Sequence, residues 1–182
     1  EKACKDSSFA EDILAMKASI LTSQGKHEEA LITFKEVEVK TTTADNRLSA
    51  QLGVLRSANK LNYYATIVDY ANKLLDNGAL TAEEDKEIRF GRAFAQYKQG
   101  NNDEASKNFA ELAPNTNSIY GAQAAYYLAE VQFNTNQLSK AETTLNTFID
   151  AGTEHEYWLA RAFILLADVY HKQGNSFEAT EY

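Results

Sequence analysis

The chain has 182 residues, 44% of them hydrophobic, one proline, one cysteine and a formal net charge of −8. That length makes one large domain or two small ones. The acidic balance, without a Lys/Arg cluster, excludes the basic face of a nucleic-acid binder. No apolar run approaches the 18 residues of a membrane-spanning helix, and the lone Cys4 makes no disulfide framework.

A single Pro114 in a chain rich in Ala, Leu, Lys, Glu and Gln predicts an all-α fold. Residues 1–8 are polar and read as a frayed, processed end. A first hairpin follows at about 9–24 and 27–40, turning at Gly25-Lys26, and Thr41-Thr42-Thr43 separates it from a second at about 45–59 and 62–77. Thr81 to Glu84 has the spacing of a capping box and opens a helix at 82–99; Asn101 caps its partner, which Pro114 stops. A fourth hairpin occupies about 118–134 and 137–151. Thr153 to Glu156 is a second capping-box pattern, opening a helix over 154–173, and a last helix begins near Ser176.

Small residues twelve apart, with a turn-former seven after the first, recur along these hairpins: Ala18/Ala30, Gly53/Ala65, Ala93/Ala105, Ala129/Ala141 and Ala167/Ala179, turning at Gly25, Lys60, Gly100, Asn136 and Gly174. A small side chain on each helix lets two backbones cross closely, and the turn needs a residue that accepts positive φ. Lys60 breaks that rule. The helix after it reads better with Ile67, Tyr70, Ala71 and Leu74 inward, as if its turn held two extra residues. Apolar residues also stand five before the small position (Ile13, Leu48, Ile88, Ala124, Ala162) and two after it (Ile20, Leu55, Ala95, Val131, Val169), which predicts one buried stripe.

The stretch Leu166 to Ala179, LADVYHKQGNSFEA, resembles the tetratricopeptide repeat (TPR), and the resemblance covers nearly the whole chain. It implies an α-solenoid, a right-handed superhelix of about five helix-turn-helix units at 9–40, 45–77, 81–113, 117–151 and 154–182, the last incomplete. Departures are the uneven unit spacing, the near absence of the family's closing Pro and the missing aromatic early in most first helices. In this irregularity the chain is similar to bacterial cell-envelope TPR domains of outer-membrane assembly lipoproteins and Tol-associated periplasmic proteins.

Nothing in the sequence selects a catalytic, metal or cofactor site. His27, His155 and His171 lack metal-ligand spacing, the glycines are dispersed, and acidic pairs such as Glu83-Glu84 stand at helix starts, where they favour the macrodipole. The resemblance places a binding groove three before, one after and four after each small residue. Units one and two then offer a smooth wall of Ala15, Ser19, Thr22, Ala50, Val54 and Ser57. Units three and four offer Phe90, Phe94, Tyr97, Tyr126, Glu130 and Phe133, and unit five Ile164, Asp168 and His171. Aromatic rings supply large contact area at small entropic loss; alternatively, a tightly curled array packs them against neighbouring helices. Ala15 and Ser19 stand where the family's carboxylate-clamping grooves carry Lys and Asn, which argues against that mode. The reading is a non-catalytic scaffold for a protein or peptide partner, basic or neutral beside Glu130. A structural spacer and the docking arm of an enzyme are the alternatives. The incomplete last unit leaves Leu165, Leu166, Val169 or Tyr170 open to self-association.

Overall fold

The computed structural model describes residues 2–76, 79–175 and 179, with side chains from Ala10 onward. The described residues form nine α-helices and no strand: α1 (Lys2–Ser23), α2 (His27–Lys40), α3 (Ala44–Leu61), α4 (Tyr64–Asp76), α5 (Ala82–Lys98), α6 (Asn102–Leu112), α7 (Ile119–Asn134), α8 (Leu138–Ala151) and α9 (Glu156–Gln173). They divide into two compact units, Glu1–Gly91 and Arg92–Tyr182, with the boundary inside α5. In the first, α1 packs on α2, α2 on α3 and α3 on α4; in the second, α6 packs on α7, α7 on α8, and α9 on both α7 and α8. The predicted fraying at the start is replaced by helix from Lys2. The expected last helix lies almost wholly outside the described residues.

Each hairpin turn carries one residue at positive φ: Gly25 at 75°, Asn62 at 57°, Gly100 at 81°, Asn136 at 61° and Gly174 at 86°. Four of these match the sequence reading. The second turn is at Asn62, two residues beyond Lys60, because Asn tolerates the left-handed conformation and Lys does not. The Asn62 N–H closes the helix on the carbonyls of Ala58 and Asn59. Ile67, Tyr70, Ala71 and Leu74 are accordingly buried, and Ala65 is exposed.

Three of the remaining crossings are built as the spacing predicts; Ala167 is half-buried, and the helix expected around Ala179 lies outside the described residues. Ala18 and Ala30, Ala93 and Ala105, and Ala129 and Ala141 are all fully buried. Gly53 is small for another reason: a Cβ there would stand 2.5 Å from Cδ1 of Phe34, so its flat surface receives an α2 ring rather than α4. Around the crossings Phe109, Phe148, Leu145 and Leu166 are buried to 2% exposure or less, each contributing about 1.5–3 kcal/mol of transfer free energy. Ile13 and Ile20 leave the predicted stripe. Both are 51% exposed, because among the described residues no helix packs on that face of α1, whereas Leu55, Val131 and Val169 are covered. Of the residues expected on an open face of α9, Leu165, Leu166 and Val169 are buried and Tyr170 is half-buried.

Two caps differ from expectation. Thr81 and Glu84 form the reciprocal box: the Glu84 N–H donates to Thr81 Oγ1 at 3.2 Å, and the Thr81 N–H to Glu84 Oε2 at 3.0 Å. The backbone bond from Thr81 holds the Glu84 carboxyl below its usual range. Thr153 forms no box; its hydroxyl donates to the Thr116 carbonyl at 2.7 Å, tying two loops together, and α9 begins at Glu156. Asn101 makes no side-chain cap bond.

Two tests check this register. Asn62→Ala should cost about 1 kcal/mol through the left-handed turn, while Lys60→Ala should be near neutral; equal effects in urea melts would return the turn to Lys60. Ala129→Leu should overpack the α7–α8 crossing and cost about 1–3 kcal/mol, and a wild-type melt would show that the helices do not cross there.

Candidate partner-binding face

The first helices of the hairpins carry the predicted groove positions. In the first unit these line a cavity of about 350 Å³, with Ala15, Ser19 and Thr22 of α1, Ala50 and Gly53 of α3, and Phe34 of α2. Val54 and Ser57, expected in the same wall, are buried instead. The two-residue shift of the turn explains this, because Arg56 takes the rim position and forms a two-pronged bond to Glu87 at 2.7 and 3.0 Å. Phe90 lies on α5 in this unit, half-buried.

The second unit holds the aromatic cluster. Its hub is Tyr127, which the groove positions omit. The Tyr127 ring lies 5.1 Å from Phe94, 6.2 Å from Tyr97, 5.8 Å from Phe109, 5.3 Å from Tyr126 and 5.6 Å from Trp158. These are edge, tilted and stacked arrangements of the kind aromatic pairs prefer. Phe94, Tyr97, Glu130 and Phe133 are half-buried, and Tyr126 is 4% exposed. The Tyr126 ring is therefore part of the packing beneath the face.

A polar relay crosses the cluster. Arg161 Nη2 donates to the Tyr126 hydroxyl at 2.6 Å, and that hydroxyl donates to Glu130 Oε1 at 2.7 Å. Burial first, and then the bond to Glu130, push the Tyr126 phenol well above its ordinary value. Tyr97, accepting from Asn134 Nδ2 at 3.0 Å, is pushed up to about 12, by burial first and then by the Glu130 charge. The Arg161 guanidinium lies over the rings of Tyr126, Trp158 and Tyr157 at 4.3, 5.6 and 6.0 Å. On α9, Tyr157, Arg161, Ile164, Asp168 and His171 follow at alternating steps of four and three, one face of a helix. Tyr157 is 65% and Ile164 64% exposed. Trp158 and Arg161 were not among the predicted groove residues; the i, i+4 step from Tyr157 to Arg161 was the signal available.

Elsewhere in this unit a cleft of about 400 Å³ lies between α6, α7 and α8, floored by Leu128 and Phe148 and rimmed by threonines. Thr143 and Thr147 donate back to their own helix. Among the described residues no group of three or more His, Cys, Asp or Glu could hold a metal ion, and no helix is long and apolar enough to cross a membrane.

Successive hairpins that turn on a left-handed residue and cross at small residues define a helical-repeat protein of the α-solenoid class. The chain belongs to the tetratricopeptide repeat-like family: the model of the tetratricopeptide repeat-like domain matches residues 80–182, more than half of it. Solved structures agree in fold. YrrB, described as a TPR protein with an unusual peptide-binding site, is 18% identical over 92% of this chain and 80% of its own, with a TM-score of 0.69. BtubC from P. vanneervenii is 14% identical over 92% of this chain and 74% of its own, at 0.70. A tetratricopeptide repeat protein from Parabacteroides merdae is 20% identical over 94% of this chain and 62% of its own, at 0.63. Among curated proteins no significant match was found.

The raised phenols give a pH signature. An unfolded tyrosine ionises near 10, whereas Tyr97 in the folded chain holds its proton to about 12. The stability this contributes is complete below pH 10 and declines as pH rises from 10 toward 12. Urea melts across that interval should fall more steeply for the wild type than for Tyr97→Phe; parallel slopes would show that Tyr97 is not held protonated by the fold.

Proposed function

We propose that the chain is a non-catalytic protein–protein interaction scaffold that seats a peptide or a segment of a partner protein on the first-helix face of its second unit. The observation carrying this reading is the exposure of Tyr157 and Ile164 beside a guanidinium fixed on three rings. Exposed aromatic and aliphatic groups around a rigid Arg have the composition of an interface hot spot. The proposed face takes in Phe94, Tyr97, Glu130 and Phe133, with Tyr126 and Tyr127 packed beneath them. The peptide-binding site named for YrrB is in keeping with this use of the fold. Phe90 belongs to the first unit and is kept as a proposed contact of that unit by itself. A spacer reading has the burial of Tyr126 in its favour, but it leaves the exposed Tyr157 and Ile164 without a role.

Panning a displayed random heptapeptide library on the immobilised chain tests the proposal. Peptides should be recovered, and Phe133→Ser and Ile164→Ser should each weaken them by about 2 kcal/mol at a hot spot. Ile164→Ser should leave the melting temperature unchanged, since its side chain is 64% exposed. Tyr126→Ser, by contrast, should cost about 3 kcal/mol of stability as a core truncation. Recovery of no peptide, or binding that survives both face substitutions, would refute the proposed site.

A further inference from the structure

Resting on the reading that this face binds a segment, we infer that the segment is acidic and that Arg161 reads its carboxylate. The presence of Glu130 suggests the opposite, a basic ligand, but the geometry uses that carboxylate internally. Glu130 Oε1 accepts the Tyr126 hydroxyl, Arg161 Nη2 stands 3.7 Å away, and the Glu130 side chain is 21% exposed. Arg161 is the more open partner, at 35%. Its guanidinium has five N–H donors in a planar fork; these are shared among the hydroxyls of Tyr126, Tyr157 and Tyr127, and its 35% exposed side chain leaves part of the fork open to solvent. The rings of Tyr126 and Trp158 already hold the fork in place, so a carboxylate meets a group with little rotamer freedom left to lose.

Two further cations flank it. Lys98 Nζ lies 5.2 and 5.4 Å from the ring centres of Phe94 and Tyr97, and Lys172 Nζ 4.6 Å over Phe133. Both lysines are exposed, and neither belongs to an ion pair among the described residues. Asp168 is the acid on the same stripe of α9 and is also exposed. Among the described residues of this face, three ring-seated cations therefore oppose Glu130, which is bonded inward, and Asp168. This local excess is the reverse of the chain's net charge of −8. Tyr157 and Ile164 beside Arg161 add an apolar contact, so the segment carries an aliphatic or aromatic residue next to its acid.

Panning the heptapeptide library in parallel on the wild type and on Arg161→Gln gives the first readout. Asp and Glu should be enriched on the wild type, with that enrichment lost on the variant. Enrichment of basic or neutral peptides would overturn the acidic assignment while leaving the binding face standing; recovery of no peptide would remove both. The second readout uses Trp158, the only tryptophan of the chain, whose fluorescence reports the site directly. The tightest recovered peptide should bind at least about tenfold more weakly when its acid is changed from Glu to Gln, a swap that needs no change in the protein. Raising salt from about 50 to 300 mM should weaken the Glu form and spare the Gln form. Arg161→Lys, which keeps the charge and loses the fork, should fall between wild type and Arg161→Gln. Equal affinity of the Glu and Gln peptides, or a salt-independent Glu peptide, would overturn the proposal.

Discussion

Every hairpin depends on one residue held at positive φ. That residue fixes where the second helix begins, and so which side chain of the second helix meets the first at the crossing. Gly pays no steric penalty there and Asn only a small one, and all five positions are Gly or Asn. Moving the point by two residues, as at Asn62, changes everything downstream of it in the hairpin. Ile67 takes the place that Ala30, Ala105 and Ala141 hold elsewhere, and a larger side chain stands in the core. On the first helix of that hairpin Gly53 is released from the crossing and meets Phe34 instead.

How much of this was legible follows from how local each constraint is. The alanine pairs are visible because a close crossing demands small residues at a distance set by one turn, and both ends lie within thirteen residues of sequence. The stripe of α4 showed the same logic from the other side: Ile67, Tyr70, Ala71 and Leu74 pointed to a longer turn even though Lys60 had the counted position. Thr153 carries the letters of a capping box, but its hydroxyl reaches Thr116, thirty-seven residues away, and no local pattern announces that bond. Ile13 and Ile20 repeat the spacing of buried residues, and spacing cannot say whether a neighbour is present to cover them.

The aromatic cluster of the proposed site was legible in part. Counting from the crossing residue reached Phe94, Tyr97, Tyr126, Glu130 and Phe133, yet it missed Tyr127, around which the rings assemble. Tyr127 stands next to a counted position and reaches Phe94 and Trp158 from other helices. Contacts of that kind depend on how helices are set against one another, and a positional rule drawn along one helix does not contain them. The same holds for Arg161, whose partners are thirty-one and thirty-five residues back in the chain.

The first unit contains a close chemical relative of the relay, and the comparison isolates what makes a face rather than a clamp. There the Tyr70 hydroxyl donates to Glu38 Oε2 at 2.6 Å, Gln51 donates to Glu38 Oε1 at 2.9 Å, and Lys73 lies 4.2 Å from the Tyr70 ring centre. A buried phenol, a carboxylate and a ring-seated cation are again together. In that case Lys73 also pairs with Asp69 at 3.2 Å, so the cation has its own acid. The arrangement joins α2, α3 and α4, and a second, exposed lysine, Lys35, lies 5.9 Å from the same ring centre. A tyrosine–glutamate bond beneath a cation is therefore a packing device in both units. The second unit differs in what surrounds it: Tyr157 and Ile164 stand exposed on the stripe that carries Arg161. The proposed binding face rests on those exposed side chains, above a relay that holds the guanidinium against its rings.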